Sequence, residues 1–221
     1  VNRRLKKLKN KKFEDKNLKD LQDKLVMMYE NIMKGDINEI FSELMSLKDQ
    51  LREKTIVITG GSGFLGSWLC DIFIKFDSNV VCIDNLSTGS QSNISHLLKD
   101  DRFEFIKNDV EKIKINKKID YILHFASNAS PENYSLNRVS TLLTNSEGTK
   151  KMLDLAVENS CIFLYASTSE VYGDAEIIPT PEEYWGKVNP IGDRSCYDEG
   201  KRFGEALSVA YRKELNLDER I

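Results

Sequence analysis

The apolar residues of this chain follow two different spacings, and the change falls near residue 54. Before it, Leu, Met and Ile recur every three or four positions over residues 18–32 and again over 37–51, which is typical of amphipathic helices. Between these runs, Gly35 suits a helix C-terminus, and Asp36 with Glu39 resembles a capping box. The pattern predicts a helical hairpin whose apolar seam packs on the rest of the chain or on a second subunit.

After residue 54, short apolar runs alternate with helical stretches. Five runs have the length and composition of buried strands: KTIVITG, NVVCIDN, RFEFIKND, IDYILHFAS and CIFLYAST. Strands that alternate with helices form βαβ units with right-handed crossovers and a parallel sheet. We therefore predict an α/β fold, a Rossmann doubly wound parallel sheet preceded by the helical hairpin. The two predicted domains are residues 1–53, which include a basic N-terminus, and residues 54–221.

Composition limits the classes of function. The chain has 221 residues, of which 40% are hydrophobic and 30% are charged, and its formal net charge is -3. This balance is typical of a soluble globular protein and gives no overall attraction to nucleic acid. The longest apolar runs are far below the roughly 18 residues of a membrane span. Residues 3–12 hold seven basic side chains without interleaved aromatic residues, so we interpret them as a solvated terminus rather than an arm for nucleic acid or acidic lipid.

The cysteines indicate a reducing compartment. Cys70, Cys82, Cys161 and Cys196 show no CxxC spacing, which favours reduced thiols over disulfides or a zinc site. The N-terminus is polar and lysine-rich, unlike a secretory signal. We therefore expect a cytoplasmic protein without a metal site.

Residues 59–66 read TGGSGFLG, directly after the first predicted strand and before the first predicted helix. Glycines at positions 60, 63 and 66 of such a turn allow a tight turn, close approach of a pyrophosphate and close helix packing. The helix N-terminus offers free N–H groups to phosphate. Asp84 ends the second predicted strand, where a carboxylate can accept hydrogen bonds from a ribose and repel a 2′-phosphate. The motif therefore predicts an NAD site and favours NAD over NADP.

A second motif, SCYDEGKR at residues 195–202, opens a later predicted helix. Tyr197 and Lys201 are four residues apart and project from one helix face. An ammonium group beside a phenol favours the phenolate, so we expect Lys201 to lower the pKa of Tyr197 and make it a usable base. Thr168, which follows the fifth predicted strand, could hydrogen-bond the same substrate oxygen.

From about residue 54 onward, the chain resembles the extended short-chain dehydrogenase/reductase family. The segments that carry the resemblance are TGGSGFLGS, DNLSTG, ASNASPENY, TNSEGT, STSEVYGD, EEYWGKVNPIG and SCYDEGKR. The last two together resemble the subgroup that decarboxylates UDP-glucuronate. The resemblance implies a last sheet strand and a smaller substrate-binding domain, and we expect both to be missing from this chain. We also expect a homodimer.

The resemblance further implies which residues contact the cofactor and the sugar. The residues expected to bind NAD are Gly60, Gly63, Phe64, Leu65, Gly66, Asp84, Asn85, Thr88, Gly89, Asp109, Val110, Ala126, Ser127, Thr144, Tyr197 and Lys201. The expected catalytic residues are Tyr197, Lys201, Thr168, Ser169 and Glu170. Residues 128–134 are expected beside the sugar carboxylate.

The implied reaction is NAD-dependent decarboxylation of a nucleotide sugar, UDP-glucuronate, to UDP-xylose through a 4-keto intermediate. Related 4,6-dehydratases have an aspartic acid before the glutamate, and it protonates the departing hydroxyl. Here Ser169 precedes Glu170, and a serine hydroxyl is too weak an acid for that step. Loss of carbon dioxide needs no such acid. Two alternatives stay open: a nucleotide-sugar 4,6-dehydratase or 4-epimerase, and a non-catalytic NAD-binding or scaffold protein.

Overall fold

The computed structural model describes residues 16–221. The basic stretch at residues 3–12 lies outside the described residues. The chain divides into two compact units, and the second comprises Asp49–Ile221.

The first unit contains one long helix instead of the predicted hairpin. Helix α1 spans Lys16–Glu43 without a break and is followed by a 3₁₀ turn, Met45–Leu47, and a single helical turn, α2, at Lys48–Leu51. The predicted chain reversal at Gly35 and Asp36 is therefore wrong. A glycine inside a helix costs only about 1 kcal/mol relative to alanine, and Gly35 does not adopt the left-handed conformation that ends many helices.

The second unit is built on a six-stranded parallel sheet. The strands are β1 Thr55–Thr59, β2 Asn79–Ile83, β3 Phe103–Ile106, β4 Tyr121–His124, β5 Ile162–Tyr165 and β6 Glu219–Arg220. Their order in the sheet is β3-β2-β1-β4-β5-β6, and every pair is parallel. This order is that of the Rossmann doubly wound sheet, which confirms the predicted fold class.

Strand β6 corrects the expectation that the last strand is missing. It pairs with β5 through Phe163 opposite Glu219 and Leu164 opposite Arg220. The segment is short and charged, so its sequence carries no strand signal. Two tertiary features hold it: Leu217 is buried, and Glu219 forms an ion pair with Arg212 at 3.0 Å.

Helices cover both faces of the sheet. They are α3 Phe64–Lys75, α4 Pro131–Leu136, α5 Arg138–Leu143, α6 Thr149–Asn159 and α7 Ser195–Leu215, with a π-helical turn at Thr144–Gly148 between α5 and α6. Successive β1 side chains alternate between two apolar cores. Val57 packs in the core that includes α6, whereas Ile56 and Ile58 pack in the core that includes α3.

The four cysteines are buried and free. Within residues 16–221, no helix is long and apolar enough to cross a membrane, and no cluster of His, Cys, Asp and Glu could hold a metal ion.

Candidate functional site

A cleft of about 760 Å³ opens at the carboxyl ends of β1, β2 and β4. The strand order reverses between β1 and β4, which is where ligands bind in sheets of this kind. Thirteen of the residues expected to bind NAD line it: Gly60, Gly63, Phe64, Leu65, Gly66, Asp84, Asn85, Thr88, Asp109, Val110, Ala126, Ser127 and Thr144. Three expected residues, Gly89, Tyr197 and Lys201, are not part of its lining.

The glycine turn joins β1 to α3 at the floor of the cleft. Gly60 has a φ of +69°, a left-handed conformation that favours glycine, and its N–H donates to the Ile83 carbonyl at 2.8 Å. A Cβ atom on Gly66 would overlap the carbonyl oxygen of Gly60. These glycines therefore let α3 begin directly against the turn, with its N-terminal N–H groups at the cleft.

Asp84 is buried at the end of β2, beneath the glycine turn. Its Oδ2 accepts the N–H of Ser62 at 2.9 Å, and its Oδ1 accepts the N–H of Leu86 at 2.7 Å. Burial raises the pKa of Asp84, and the two backbone hydrogen bonds oppose this rise. A Cβ atom on Gly89 would lie 2.9 Å from Oδ2, so Gly89 lets its loop pass close behind the carboxylate. The carboxylate is thus fixed in orientation by the backbone.

A polar cluster lies at the edge of the cleft beyond β2 and β3. Asn85 Nδ2 donates to Asp109 Oδ1 at 2.9 Å, and Lys112 Nζ donates to Asp109 Oδ2 at 2.6 Å. These hydrogen bonds, with Lys112 the stronger influence, lower the pKa of Asp109. No motif in the sequence indicates Lys112, although its position three residues after Asp109 is the spacing of a local ion pair.

Ser127, after β4, has a buried hydroxyl that lines the cleft. Its Oγ has no hydrogen-bond partner among the described residues. Buried hydroxyl groups are nearly always hydrogen-bonded. An unpaired one at this cleft therefore fits a position where a polar ligand supplies the partner.

Tyr197, on α7, lies beside Tyr134, on α4. The two rings are stacked, with centroids 5.2 Å apart and an angle of 10° between their planes, and Tyr197 is 6% exposed. Burial raises the pKa of Tyr197, and a side-chain hydrogen bond with Thr168 only partly opposes this. The expectation that Lys201 gives Tyr197 a lowered pKa is therefore wrong for this structure, because burial of the phenol outweighs its polar contacts.

Lys201 is buried one helical turn after Tyr197. Its Nζ donates to the Ala166 carbonyl at 2.7 Å, just after β5, and lies 4.8 Å from the centre of the Tyr165 ring. Burial lowers the pKa of Lys201 to about 8, while Glu205 acts in the opposite direction. The lysine thus places a cationic group at the carboxyl end of β5 that can lose its proton slightly above neutral pH.

The residues after β5 form a short 3₁₀ turn, Ser169–Tyr172. Thr168 caps this turn, because its side-chain Oγ1 accepts the N–H of Glu170 at 3.3 Å. Glu170 forms an ion pair with Arg194, whose guanidinium is also 3.6 Å from Asp198. No motif in the sequence indicates Arg194, because its partners lie 24 residues away and on the next helical turn. Ser169 is exposed and uncharged.

Residues 56–219 match the NAD dependent epimerase/dehydratase family, and the chain belongs to that family. This match confirms the resemblance to the extended short-chain dehydrogenases/reductases and, at the level of the family, the expected cofactor NAD.

Individual relatives narrow the comparison. UDP-glucuronic acid decarboxylase 1 of Xenopus tropicalis is 47% identical over 180 residues, which cover 81% of this chain and 42% of the relative. The chain thus spans about two fifths of that relative's length. An epimerase structure from Methanothermobacter thermautotrophicus has a TM-score of 0.72 at 26% identity, covering 81% of this chain and 53% of its own. A dTDP-glucose 4,6-dehydratase from Streptomyces venezuelae, solved with NAD bound, has a TM-score of 0.68 at 25% identity, covering 76% and 54%.

Proposed function

We propose that this chain carries the NAD site and the catalytic tyrosine of a UDP-glucuronate decarboxylase, which converts UDP-glucuronate to UDP-xylose through a 4-keto intermediate. The identity of 47% to a relative of that name supports the substrate. The cleft and the surroundings of Tyr197 support the oxidation and decarboxylation steps. In this proposal residues 54–221 are the NAD-binding domain and residues 1–53 are a separate N-terminal segment.

The cleft fits NAD in three respects. The glycine turn lines the cleft without side chains, and a Cβ atom at Gly60 would crowd the backbone of Phe125 at 3.0 Å. Asp84 is fixed at the position that receives a ribose, and the unpaired hydroxyl of Ser127 lines the same cleft. We assign cofactor contact to the sixteen residues that the sequence resemblance implies. NAD supplies reversible oxidation at C4 of the sugar.

Tyr197 is the group that moves the proton of the sugar 4-hydroxyl. Its phenol is oriented by stacking on Tyr134 and by its hydrogen bond with Thr168. Because burial raises the pKa of this phenol, Tyr197 must lose its own proton before it can accept that of the sugar hydroxyl, and the phenolate then needs a positive charge nearby. Lys201, protonated below its pKa of about 8, supplies that charge from the same helix face.

The observation that carries decarboxylation over dehydration is the charge at the end of β5. Position 169 holds an exposed serine, and the one acid of the pair, Glu170, is matched by the Arg194 guanidinium. Arg194 is shared between Glu170 and Asp198, so the neutral serine keeps this strand end from gaining further negative charge. A sugar that bears a carboxylate can approach it, whereas a second acid would repel that sugar and would serve only a dehydration.

The test is product formation by the full-length protein supplied with UDP-glucuronate. We expect carbon dioxide and UDP-xylose from the wild type. In Tyr197→Phe we expect kcat to fall by about 10²–10⁴-fold, with NAD affinity nearly unchanged. Dehydration of a nucleotide hexose, or NAD binding without turnover of any nucleotide sugar, would favour one of the two alternatives.

We also propose a homodimer in a reducing, cytoplasmic environment. On α4 and α5, four apolar side chains are exposed, namely Leu136, Val139, Leu142 and Leu143. A second copy of the chain could cover them. The four free, buried thiols support a reducing compartment. Sedimentation at micromolar concentration should give twice the chain mass, and Val139→Lys should shift it toward the single-chain mass.

A further inference from the structure

We infer that His124 is a positioning residue: in the tautomer that carries its proton on Nε2, its ring joins two segments of the cleft lining by one directed chain of hydrogen bonds. The first segment is residues 125–126, after β4, and the second is the π-helical turn Thr144–Gly148. The hydrogen-bond chain stands on geometry alone, and its consequence for NAD affinity rests on the proposed function.

Thr59 fixes the direction at one end. Its Oγ1 accepts the N–H of Ala126 at 3.1 Å and the N–H of Phe125, also at 3.1 Å, which Phe125 shares with the Thr59 carbonyl at 3.2 Å. A hydroxyl oxygen has two lone pairs, and these two bonds use both. The Thr59 hydroxyl hydrogen is therefore the only group left for His124 Nδ1, which lies 2.7 Å away. Nδ1 must accept, so it carries no proton.

The other end agrees with this direction. With Nδ1 as the acceptor, the ring proton resides on Nε2, which lies 3.1 Å from Thr149 Oγ1 and donates to it. Thr149 passes the direction on, because its own hydroxyl donates to the Asn145 carbonyl at 2.8 Å. Every donor in the chain thus meets an acceptor, from the N–H of Ala126 to the carbonyl of Asn145.

The surroundings keep the ring neutral. His124 is 1% exposed and contacts the aromatic rings of Phe163 and Tyr165. Burial lowers its pKa to about 3, and the positive charge of Lys201 acts in the same direction. Only the two threonine hydroxyls are hydrogen-bonded to the ring nitrogens. An imidazolium would place a proton on Nδ1 against the hydroxyl hydrogen of Thr59.

The hydrogen-bond chain through His124 affects the cleft because the glycine turn packs against one of the two segments that the hydrogen bonds hold. A Cβ atom on Gly60 would lie 3.0 Å from both the Ala126 nitrogen and the Phe125 carbonyl carbon. A shift of residues 125–126 therefore moves the wall that faces Gly60. At the other end, Asn145 lies next to Thr144, which lines the cleft. His124 thus sets the spacing between these two parts of the lining.

Two substitutions separate the two halves of the chain. In His124→Asn, Oδ1 can take the place of Nδ1 and accept from Thr59. In His124→Gln, the amide reaches the place of Nε2 and serves Thr149, so Thr59 loses its acceptor. Both variants remove the imidazole and should lose similar thermal stability. Calorimetry with NAD should give an affinity within about threefold of wild type for His124→Asn and at least about tenfold weaker, or ~1.4 kcal/mol, for His124→Gln. Equal NAD affinities of the two variants would overturn the positioning role.

If both variants fail to fold, Thr59→Ser and Thr59→Val replace them. The serine keeps the hydroxyl and the valine removes it, so only Thr59→Val should weaken NAD binding.

The tautomer has its own test. The chain contains two histidines, and His96 is exposed, so ¹⁵N-histidine NMR resolves the buried ring against an internal reference. We expect His124 to show protonated Nε2 and unprotonated Nδ1, unchanged between pH 5 and pH 9. A proton on Nδ1, or titration within that range, would overturn the inference. If the wild type does not bind NAD, that result counts against the proposed function. The NMR result then still decides whether the hydrogen-bond chain through His124 exists.

Discussion

Tyr197 and Tyr134 lie face to face, with ring centroids 5.2 Å apart and their planes 10° from parallel. Tyr134 belongs to α4 and is 2% exposed, so its ring is itself fixed by packing. The orientation of the proposed catalytic phenol therefore depends on a helix from a different part of the chain.

Replacing this neighbour should reduce turnover more than substrate binding. In Tyr134→Leu, loss of the stacked ring lets the Tyr197 phenol move from its position, and we expect kcat to fall by about tenfold or more. Tyr134→Phe keeps the stacking surface and should retain most of the activity. Steady-state kinetics of both variants with UDP-glucuronate check this, and equal kcat values for Tyr134→Leu and wild type would contradict it.

The ion pair between Arg194 and Glu170 leads to a prediction about charge. In Arg194→Gln, Glu170 loses the charge that offsets it, so we expect KM for UDP-glucuronate to rise by about tenfold. The affinity for UDP-glucose, whose sugar carries no charge, should stay the same. The double variant Arg194→Gln with Glu170→Gln should regain affinity for UDP-glucuronate. An equal loss of affinity for both sugars would show that Arg194 acts through shape rather than charge.

Burial of Lys201 predicts a dependence of stability on pH. Its pKa is about 8 in the folded protein, below the ordinary value of 10.5, so the unfolded chain binds more protons between these pH values. The contribution of Lys201 to the free energy of unfolding therefore rises as pH increases from about 8 to about 10.5. Below pH 8 the buried charge costs on the order of 1–3 kcal/mol.

Urea denaturation at pH 7 and pH 10 measures this effect. We expect Lys201→Met to be more stable than wild type at pH 7, and the difference should shrink at pH 10. Lys213→Met, at an exposed position on the same helix, is the matched control and should change neither value. A constant difference between Lys201→Met and wild type at the two pH values would refute the lowered pKa.

The position of Asp84 leads to a prediction about the relative affinities for NAD and NADP. Its carboxylate is fixed by the N–H groups of Ser62 and Leu86, so it cannot turn away from a 2′-phosphate. We expect NADP to bind at least about tenfold more weakly than NAD, or ~1.4 kcal/mol. Asp84→Asn removes the negative charge and should therefore reduce the difference between the affinities for NAD and NADP. Calorimetry with both nucleotides decides, and equal affinities of the wild type would contradict the assignment.

The parts of the fold that could be predicted from the sequence are those with local signals. The five longer strands are apolar runs, and the glycine turn sits between a strand and a helix, so the sheet and the cleft followed from the pattern. Strand β6 has no such local signal, because its extended conformation depends on pairing with β5. Gly35 gave a false signal, since a helix tolerates a glycine in its interior and Gly35 does not adopt the left-handed conformation that ends many helices.

The site was predictable where a motif carries it and not where folding brings distant groups together. Asp84 ends a recognisable strand, and it lines the cleft with the glycines. The ion pair of Glu170 with Arg194 and the hydrogen bonds of His124 join residues from separate elements, so neither is visible in the sequence. The raised pKa of Tyr197 likewise comes from burial, which depends on the packed structure.

We propose that the site oxidises UDP-glucuronate at C4 and releases its carboxyl group as carbon dioxide. The most direct measurement uses the full-length protein with NAD and UDP-glucuronate labelled with ¹³C at the carboxyl carbon. We expect the label to appear as carbon dioxide and bicarbonate, UDP-xylose to accumulate, and total NADH absorbance not to grow with product. Label that stays in the sugar, as a dehydrated or epimerised product or as unchanged UDP-glucuronate, would contradict it.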